Sequence, residues 1–247
     1  MKPICYDLFC GLGGWSEAFI AEGYRCVGFD IEAHDYGTGG YPGELRIRDI
    51  RSIHGSELKD AAVIVASPPC QEYSYMAMPW SKAKAKQAAI LADTTGAMRA
   101  HLTDLFNQCF RIQREAIEAA GHHIPLIVEN VRGAQKWVGK AQWNSGSFYL
   151  WGDVPALMPI INPRKLKGNN SPRLWSERRI QRLCDASRHD TDAFYMAPSS
   201  SSARKAASAL IAKIPFELAR HIAICFKPTS LPVSPAENST SASLAVN

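Results

Sequence analysis

The sequence lacks the marks of secreted, disulfide-bonded and membrane-spanning proteins. It has no apolar run long enough to cross a bilayer, and no basic and then apolar leader follows Met1. Its seven cysteines are odd in number and widely spaced, which fits neither a disulfide framework nor the paired ligands of a zinc site. We therefore expect a cytoplasmic protein without membrane or metal, in which the cysteines other than Cys70 are small buried side chains.

Charge of one sign is not in large excess either. The chain carries 28 Lys and Arg against 23 Asp and Glu, a net charge of +5, which permits a nucleic-acid partner without demanding one. Its 247 residues, 46% of them apolar, are enough for one sizeable core with a small appendage.

Short apolar runs alternate with helical patterns through the first half of the chain. The runs are apolar on both faces, as a parallel sheet covered by helices requires. Two helical patterns, at 15–22 and 102–120, each end just before a glycine. These features predict a doubly wound α/β domain with a mostly parallel sheet, whose ligands bind beyond the carboxyl ends of the strands. The candidate strands are 4–9, 25–29, 62–66 and 124–128.

Composition divides the chain into four parts. Residues 1–154 form the predicted catalytic and cofactor-binding domain, and 155–202, rich in Pro, Asn, Ser and Arg, form a small irregular insert. Residues 203–226 return to the main domain with a helix over 216–226, and 227–247 are a predicted disordered tail.

A glycine-rich segment and two acids favour a bound adenosyl group. The segment from Asp7 to Gly14 follows the first candidate strand and opens a helix, so its glycines let the backbone approach a ligand. Asp30, at the end of the second candidate strand, is placed to accept from both hydroxyls of a ribose, and Asp49 from an adenine amino group. Either acid alone could equally cap a turn or a helix.

Cys70 stands in a restrained loop directly after the strand at 62–66. Two prolines precede it and fix their own φ angles, which holds the thiol in a defined direction. Such a cysteine can act as a nucleophile once it is a thiolate. Glu129 and Asn130 end the next candidate strand and face the same edge of the sheet.

These segments together resemble the cytosine-5 DNA methyltransferase family. The segment from Asp7 to Gly14 is similar to the family's first motif, Pro69-Cys70-Gln71 to its catalytic motif, and Glu129-Asn130-Val131 to its base-binding motif, in the same order across residues 4–151. The resemblance implies the Rossmann-like fold of S-adenosyl-L-methionine-dependent methyltransferases, with 155–202 as the target-recognition insert. It also implies a monomer that acts on double-stranded DNA in a bacterial cell or phage-infected host, because small members are carried by bacteriophages.

The resemblance implies a covalent mechanism. Cys70 adds to carbon 6 of a flipped-out cytosine while Glu129 bonds the ring nitrogen and the exocyclic amine, so that carbon 5 can take the methyl group. Loss of the carbon 5 proton and elimination of the thiolate release the product. Asn130 and Pro69 support the loop, and Gln71 helps to fill the gap left by the base.

The same resemblance assigns contacts to the cofactor and to DNA. The stretch 72–100 is expected to be a mobile loop over DNA, although a solvated lysine-rich helix is the alternative. The expected cofactor contacts are Phe9, Gly11, Leu12, Gly13, Gly14, Asp30 for the ribose, and Ile31, Asp49 and Ile50 for the adenine. The expected DNA contacts are Lys82, Lys84, Arg173, Arg178 and Arg179.

Two segments depart from the family pattern. The family's Gln-x-Arg-x-Arg segment, whose arginine touches the flipped cytosine, corresponds to 141–151, which contains no arginine. Arg132, Lys136 or Lys140 could take that role. The family's Gly-Asn pair before the last helix is replaced within 212–219, and the short insert suggests a short or relaxed target sequence.

Three other functions remain open at this point. A tRNA cytosine-5 methyltransferase shares the same core, but its Cys-Phe-Thr signature is absent from the sequence. A catalytically idle DNA-binding protein would explain the missing arginine, but not the presence of both Cys70 and Glu129. A redox or other cysteine enzyme on a dinucleotide-binding fold would leave the Glu-Asn-Val segment unexplained.

Overall fold

The computed structural model describes residues 1–35, 39–71, 73, 80–160, 209 and 212–228. The expected insert, with Arg173, Arg178 and Arg179, lies outside the described residues except for its first six positions. The expected tail lies outside them after Pro228, and so does the side chain of Lys82.

Seven strands form one sheet in the order β3-β2-β1-β4-β5-β7-β6. Neighbours among β1 to β5 run parallel, whereas β7 pairs antiparallel with both β5 and β6. This arrangement confirms the predicted mostly parallel α/β fold, and it brings the ends of β1, β2, β4 and β5 to one carboxyl edge. The strands are β1 Ile4–Leu8, β2 Arg25–Asp30, β3 Glu44–Ile47, β4 Ala61–Ala66, β5 Leu126–Asn130, β6 Trp143–Ser145 and β7 Phe148–Gly152.

Helices cover both faces of the sheet. Because side chains of a strand alternate between faces, Val63 and Val65 of β4 pack in one layer and Ile64 in the other. The first layer includes the buried faces of α1 and α5, and the second includes that of α3. The helices are α1 Gly14–Ala21, α2 Trp80–Ala92, α3 Ala97–Ala120, α4 Gln135–Val138 and α5 Phe216–Cys225.

Several predicted boundaries need correction. The first strand stops at Leu8 because Phe9 has a φ of 59°, which is incompatible with a strand. The strand predicted at 124–128 spans Leu126–Asn130, so Glu129 and Asn130 belong to the strand itself. Sequence reasoning missed β3 and β6, whose short runs lack a sustained apolar pattern, and also β7, although Phe148–Gly152 begins with four apolar residues.

Helices occupy most of the stretch 72–100, so its described residues agree with the lysine-rich helix that was the alternative and not with an irregular loop. Residues Trp80–Ala92 form α2, and α3 begins at Ala97. Alanine and lysine favour helix in this stretch, and the break between the helices is made by Asp93, whose carboxylate accepts bonds from the Thr95 and Met98 amides.

The described residues allow the cysteine expectation to be checked. Cys5, Cys10, Cys26 and Cys109 are buried, as predicted, but Cys225 is exposed at the end of α5, so the prediction is wrong there. Within the described ranges no helix is long and apolar enough to cross a membrane, and no three metal-ligating side chains cluster.

Candidate active site

The glycine loop turns the chain sharply from β1 into α1. Phe9, Gly11 and Gly13 all have φ between 49° and 75°, the left-handed region. A Cβ on Gly13 would lie 2.4 Å from Pro42 Cδ, and one on Gly14 would lie 2.6 Å from the Ile214 nitrogen. A larger residue at either position would therefore clash with another part of the chain. Gly11, in contrast, faces open space at the carboxyl edge.

Asp30 lies beside that open space. One carboxylate oxygen accepts from the Gly11 amide at 2.9 Å and the other from the Ile31 amide at 2.8 Å. His34 Nε2 lies 3.5 Å from the second oxygen, and since a carboxylate has about four acceptor positions, Asp30 keeps acceptor capacity for a ribose hydroxyl. The neighbouring Ile31 is 70% exposed, so its side chain is available to a ligand.

Asp49 reaches the same edge but also has a structural role. The Arg48 amide donates to the Asp30 carbonyl at 2.8 Å, which fixes the following residue next to β2. Asp49 caps the 3-10 turn Ile50–Ser52 by accepting from the Arg51 amide at 2.9 Å. Ile50 as a whole residue is only 1% exposed, so the expected adenine contact of Ile50 has no accessible surface in this structure.

Three hydrogen bonds fix the loop that carries Cys70. The Ser67 amide donates to the Leu8 carbonyl at 3.1 Å, and the Asn130 side-chain amide donates to the Pro68 carbonyl at 2.9 Å. The Tyr73 amide closes a turn on the Cys70 carbonyl at 3.0 Å. The loop is thus tied to the ends of β1 and β5, with Cys70 half-buried and Pro69 and Gln71 exposed.

A tight contact between backbones holds the far end of this loop. A Cβ on Gly133 would lie 2.2 Å from the Tyr73 carbonyl oxygen, so only glycine fits there. The Tyr73 hydroxyl donates to the Leu102 carbonyl at 2.8 Å, which anchors the loop to α3 as well. The turn Arg132–Ala134 after β5 therefore lies directly against the cysteine loop.

Glu129 and Cys70 interact electrostatically across this edge. Burial raises the pKa of Glu129 from 4.5 to about 8, against the effect of a hydrogen bond from Ser67. Burial also raises the pKa of the Cys70 thiol, and the negative charge of Glu129 raises it further. A protonated Glu129 therefore favours the Cys70 thiolate, which is the nucleophilic form.

Sequence reasoning missed two groups of hydrogen-bonded side chains that are buried near these residues. Asp7, 1% exposed, accepts from Ser16 Oγ at 2.7 Å, and the Ser16 and Tyr41 hydroxyls lie 2.6 Å apart. Burial raises the pKa of Asp7 to about 8. The Trp15 indole N–H and the Ser67 hydroxyl, which are hydrogen-bonded, form a second such group. Both sets link residues distant in sequence, so only their positions within motifs could have indicated them.

The basic residues expected to replace the missing arginine or to contact DNA lie at different places in the fold. Arg132 is exposed on the turn beside the cysteine loop, Lys136 lies over the Trp137 ring with Nζ 5.1 Å from its centre, and Lys140 is exposed. Lys84 lies on α2. The segment aligned with the missing arginine motif forms the β6–β7 hairpin.

A comparison with known protein families identifies the family of this chain. The family model of the C-5 cytosine-specific DNA methylase matches residues 4–136, more than half of the 247 residues. The chain belongs to that family. The matched region includes the glycine loop, Cys70, Glu129 and Asn130, so the three segments that resemble family motifs all lie on the carboxyl edge of the sheet.

Three solved structures that are similar to this chain come from one bacterium and two eukaryotes. One is described as a DNA modification methyltransferase encoded within an Escherichia coli prophage, with 20% identity and a TM-score of 0.37. Others are the Dnmt2 methyltransferase of Schizosaccharomyces pombe, with 13% identity and a TM-score of 0.36, and the Entamoeba histolytica methyltransferase EhMeth, with 16% and 0.34. Each alignment covers 56% of this chain and 35%, 37% and 41% of those chains, respectively. No curated protein matches the sequence.

Proposed function

We propose that this methylase transfers a methyl group from S-adenosyl-L-methionine to carbon 5 of cytosine in double-stranded DNA, with the target base flipped out of the helix. The observation that carries the proposal is the placement of Cys70 and Glu129 at the ends of neighbouring strands, close enough for the charge of one to change the pKa of the other. Asn130 supports this arrangement through its bond to the Pro68 carbonyl.

The two side chains divide the chemistry. The Cys70 thiolate forms a bond to carbon 6 of the ring, and the displaced electron pair moves toward the ring nitrogen, where Glu129 donates a proton. The other oxygen of Glu129 accepts from the exocyclic amine. After carbon 5 is methylated, its proton passes to solvent water, and the electrons of that C–H bond re-form the double bond between carbons 5 and 6. The bond between Cys70 and carbon 6 breaks to return the thiolate, and Glu129 takes back its proton from the ring nitrogen.

The described residues fit an adenosyl cofactor. Gly11 faces open space, Asp30 accepts from its amide, and the neighbouring Ile31 is exposed. S-adenosyl-L-methionine supplies an electrophilic methyl group when it is bound there. Asp30 would hold the ribose, and Ile31 and Asp49 would lie near the adenine. Phe9 and Leu12 shape the loop from below, since Leu12 is only 7% exposed.

Methyl transfer can be tested with substrates that separate the candidate functions. Purified protein with radiolabelled S-adenosyl-L-methionine should label duplex DNA and not tRNA, and bisulfite sequencing of that DNA should show protected cytosines in one sequence context. Label in tRNA alone would establish the RNA activity instead. DNA binding without label in either substrate would establish an idle DNA-binding protein.

Substitution of Asp30 by Asn should weaken cofactor binding by about 10- to 100-fold, because charge-assisted bonds to the ribose hydroxyls would be lost. Isothermal titration calorimetry with S-adenosyl-L-methionine measures this change. Glu32→Gln is the matched control, since Glu32 is an exposed acid two residues away whose side chain is 70% exposed. Equal affinities of the two variants would remove Asp30 from the cofactor site.

Arg132 is the cation best placed to replace the family's missing arginine, because its turn packs on the cysteine loop while Lys136 already covers Trp137. We expect Arg132→Gln to lower kcat/KM for DNA methylation by about 100-fold, the cost of one lost charge contact to the reacting base. Steady-state kinetics with Lys140→Gln as control checks this. The assignment is wrong if Lys140→Gln shows the loss and Arg132→Gln does not.

A further inference from the structure

A hydrogen-bonded chain joins the helix after the glycine loop to the base-binding acid. Trp15, the second residue of α1, donates its indole N–H to Ser67 Oγ at 3.0 Å. Ser67 lies next to Glu129 at the carboxyl edge, because each follows a residue of the paired positions Ala66 and Val128, and a hydrogen bond from Ser67 lowers the pKa of the Glu129 carboxyl group. Trp15 is 2% exposed, so this indole donor cannot turn to water and is committed to Ser67.

The donors and acceptors of this chain have one arrangement when Glu129 is ionised, because a carboxylate only accepts. An indole N–H only donates, so Ser67 Oγ must accept from Trp15. The single hydroxyl proton of Ser67 is then free to point at the Glu129 carboxylate, which accepts it. Trp15 therefore orients the Ser67 hydroxyl toward Glu129.

Strand register explains why Ser67 can serve Glu129. Ala66 pairs with Val128 across β4 and β5, so the next residues, Ser67 and Glu129, are neighbours at the carboxyl edge. On its other side Glu129 is paired with Leu150 of β7, which is fully buried and apolar.

The groups that can titrate near Glu129 are few. The Val65 and Trp15 side chains in the same layer do not titrate, and Arg132, on the turn that follows, is exposed. Among the described residues Cys70 is the titratable group whose charge is coupled to Glu129. A change at Ser67 therefore acts on the protonation of Glu129 directly.

We propose that Ser67, oriented by Trp15, is a positioning residue that holds the Glu129 carboxyl group and sets the pH range in which it can both donate and accept its proton. This inference rests on the proposed function, in which Glu129 gives a proton to the cytosine ring and takes it back at each turnover. Burial alone would keep the carboxyl protonated, and the Ser67 bond stabilises the charged form enough for the proton to move near neutral pH.

A titration without substrate tests the chain of bonds separately from the reaction. The protein is labelled with ¹³C at the glutamate carboxyl carbons, and the Glu129 signal is identified by its loss in Glu129→Gln. In Ser67→Ala the titration midpoint of Glu129 should rise by about 1 pH unit, the effect of one lost hydrogen bond to a carboxylate. In Trp15→Phe it should rise by less, because Ser67 remains but is free to rotate.

Trp151→Phe is the matched control. The Trp151 indole N–H is equally buried but donates to the Gly139 carbonyl at 3.0 Å, so its removal should leave the Glu129 midpoint unchanged. A midpoint in Ser67→Ala or Trp15→Phe equal to or below that of the wild type overturns the proposal, and so does an equal rise in the control. Circular dichroism shows whether each variant is folded. If Ser67→Ala does not fold, the titration midpoint of Glu129 in Trp15→Phe decides the test.

Kinetics then connect the chain of bonds to catalysis. The alkaline limb of the pH profile of kcat/KM should move upward in Ser67→Ala by the same amount as the midpoint of Glu129. A uniform loss of rate at every pH would mean that Ser67 only supports the fold. If the wild type methylates no cytosine, the proposed function is wrong. The titration still tests the effect of Trp15 and Ser67 on Glu129, because it uses no substrate.

Discussion

Cys70→Ala should reduce methyl transfer to duplex DNA to background while leaving the fold and the binding of S-adenosyl-L-methionine intact. The thiol is half-buried at the carboxyl edge and lies outside both apolar layers, so its removal costs little stability. Cys5, Cys10, Cys26 and Cys109 cannot replace it, because all four are buried. Incorporation of tritiated methyl groups into DNA measures the loss.

Cys225→Ala is the control for that experiment. Cys225 is the other accessible thiol within the described ranges, at the end of α5, and its removal should leave the rate of methylation within a factor of about two of wild type. Residual activity in Cys70→Ala, or its loss in Cys225→Ala, would show that Cys70 is not the nucleophile.

Glu129→Gln should lower kcat by about 10²- to 10⁴-fold with little change in the affinity for duplex DNA, because an amide cannot give a proton to the ring nitrogen. The same change should stabilise the protein above neutral pH. The pKa of Glu129 is raised from 4.5 to about 8 on folding, so stability is fully present below the lower value and is lost as pH rises through the upper one.

Thermal unfolding at pH 5 and pH 9 tests the stability part of this prediction. Glutamine does not ionise, so Glu129→Gln should raise Tm relative to wild type at pH 9 and change it less at pH 5. A Tm that falls at both values together with kcat would give Glu129 a structural role. Equal losses of kcat and DNA affinity would contradict its role as an acid in the reaction.

The sequence was sufficient for the strands that are buried on both faces. The β1, β2 and β4 segments are mainly apolar runs, and a motif residue ends or follows each of them. The sequence alone therefore predicted which residues meet at the carboxyl edge. The helices α1 and α3 were predicted for the same reason, with their ends marked by Gly23 and Gly121.

What the sequence could not show depends on contacts over long distances. The bond from Trp15 to Ser67 joins residues 52 positions apart, and neither residue type signals it locally. The role of Asp49 as a cap was one of two open alternatives that local pattern could not separate. The α2 helix was one of two alternatives, because a lysine-rich stretch after a catalytic loop fits a DNA-contacting loop and a solvated helix equally well.

The most direct test of the central claim is covalent capture of the nucleophile. Wild-type protein is incubated with S-adenosyl-L-methionine and a duplex in which 5-fluorocytosine replaces the target base, so that the fluorine blocks the final elimination, and the product is digested and sequenced by mass spectrometry. We predict one DNA adduct, on the peptide that contains Cys70, and none with Cys70→Ala. An adduct on another residue, or none on a duplex whose unmodified form is methylated, would contradict the mechanism.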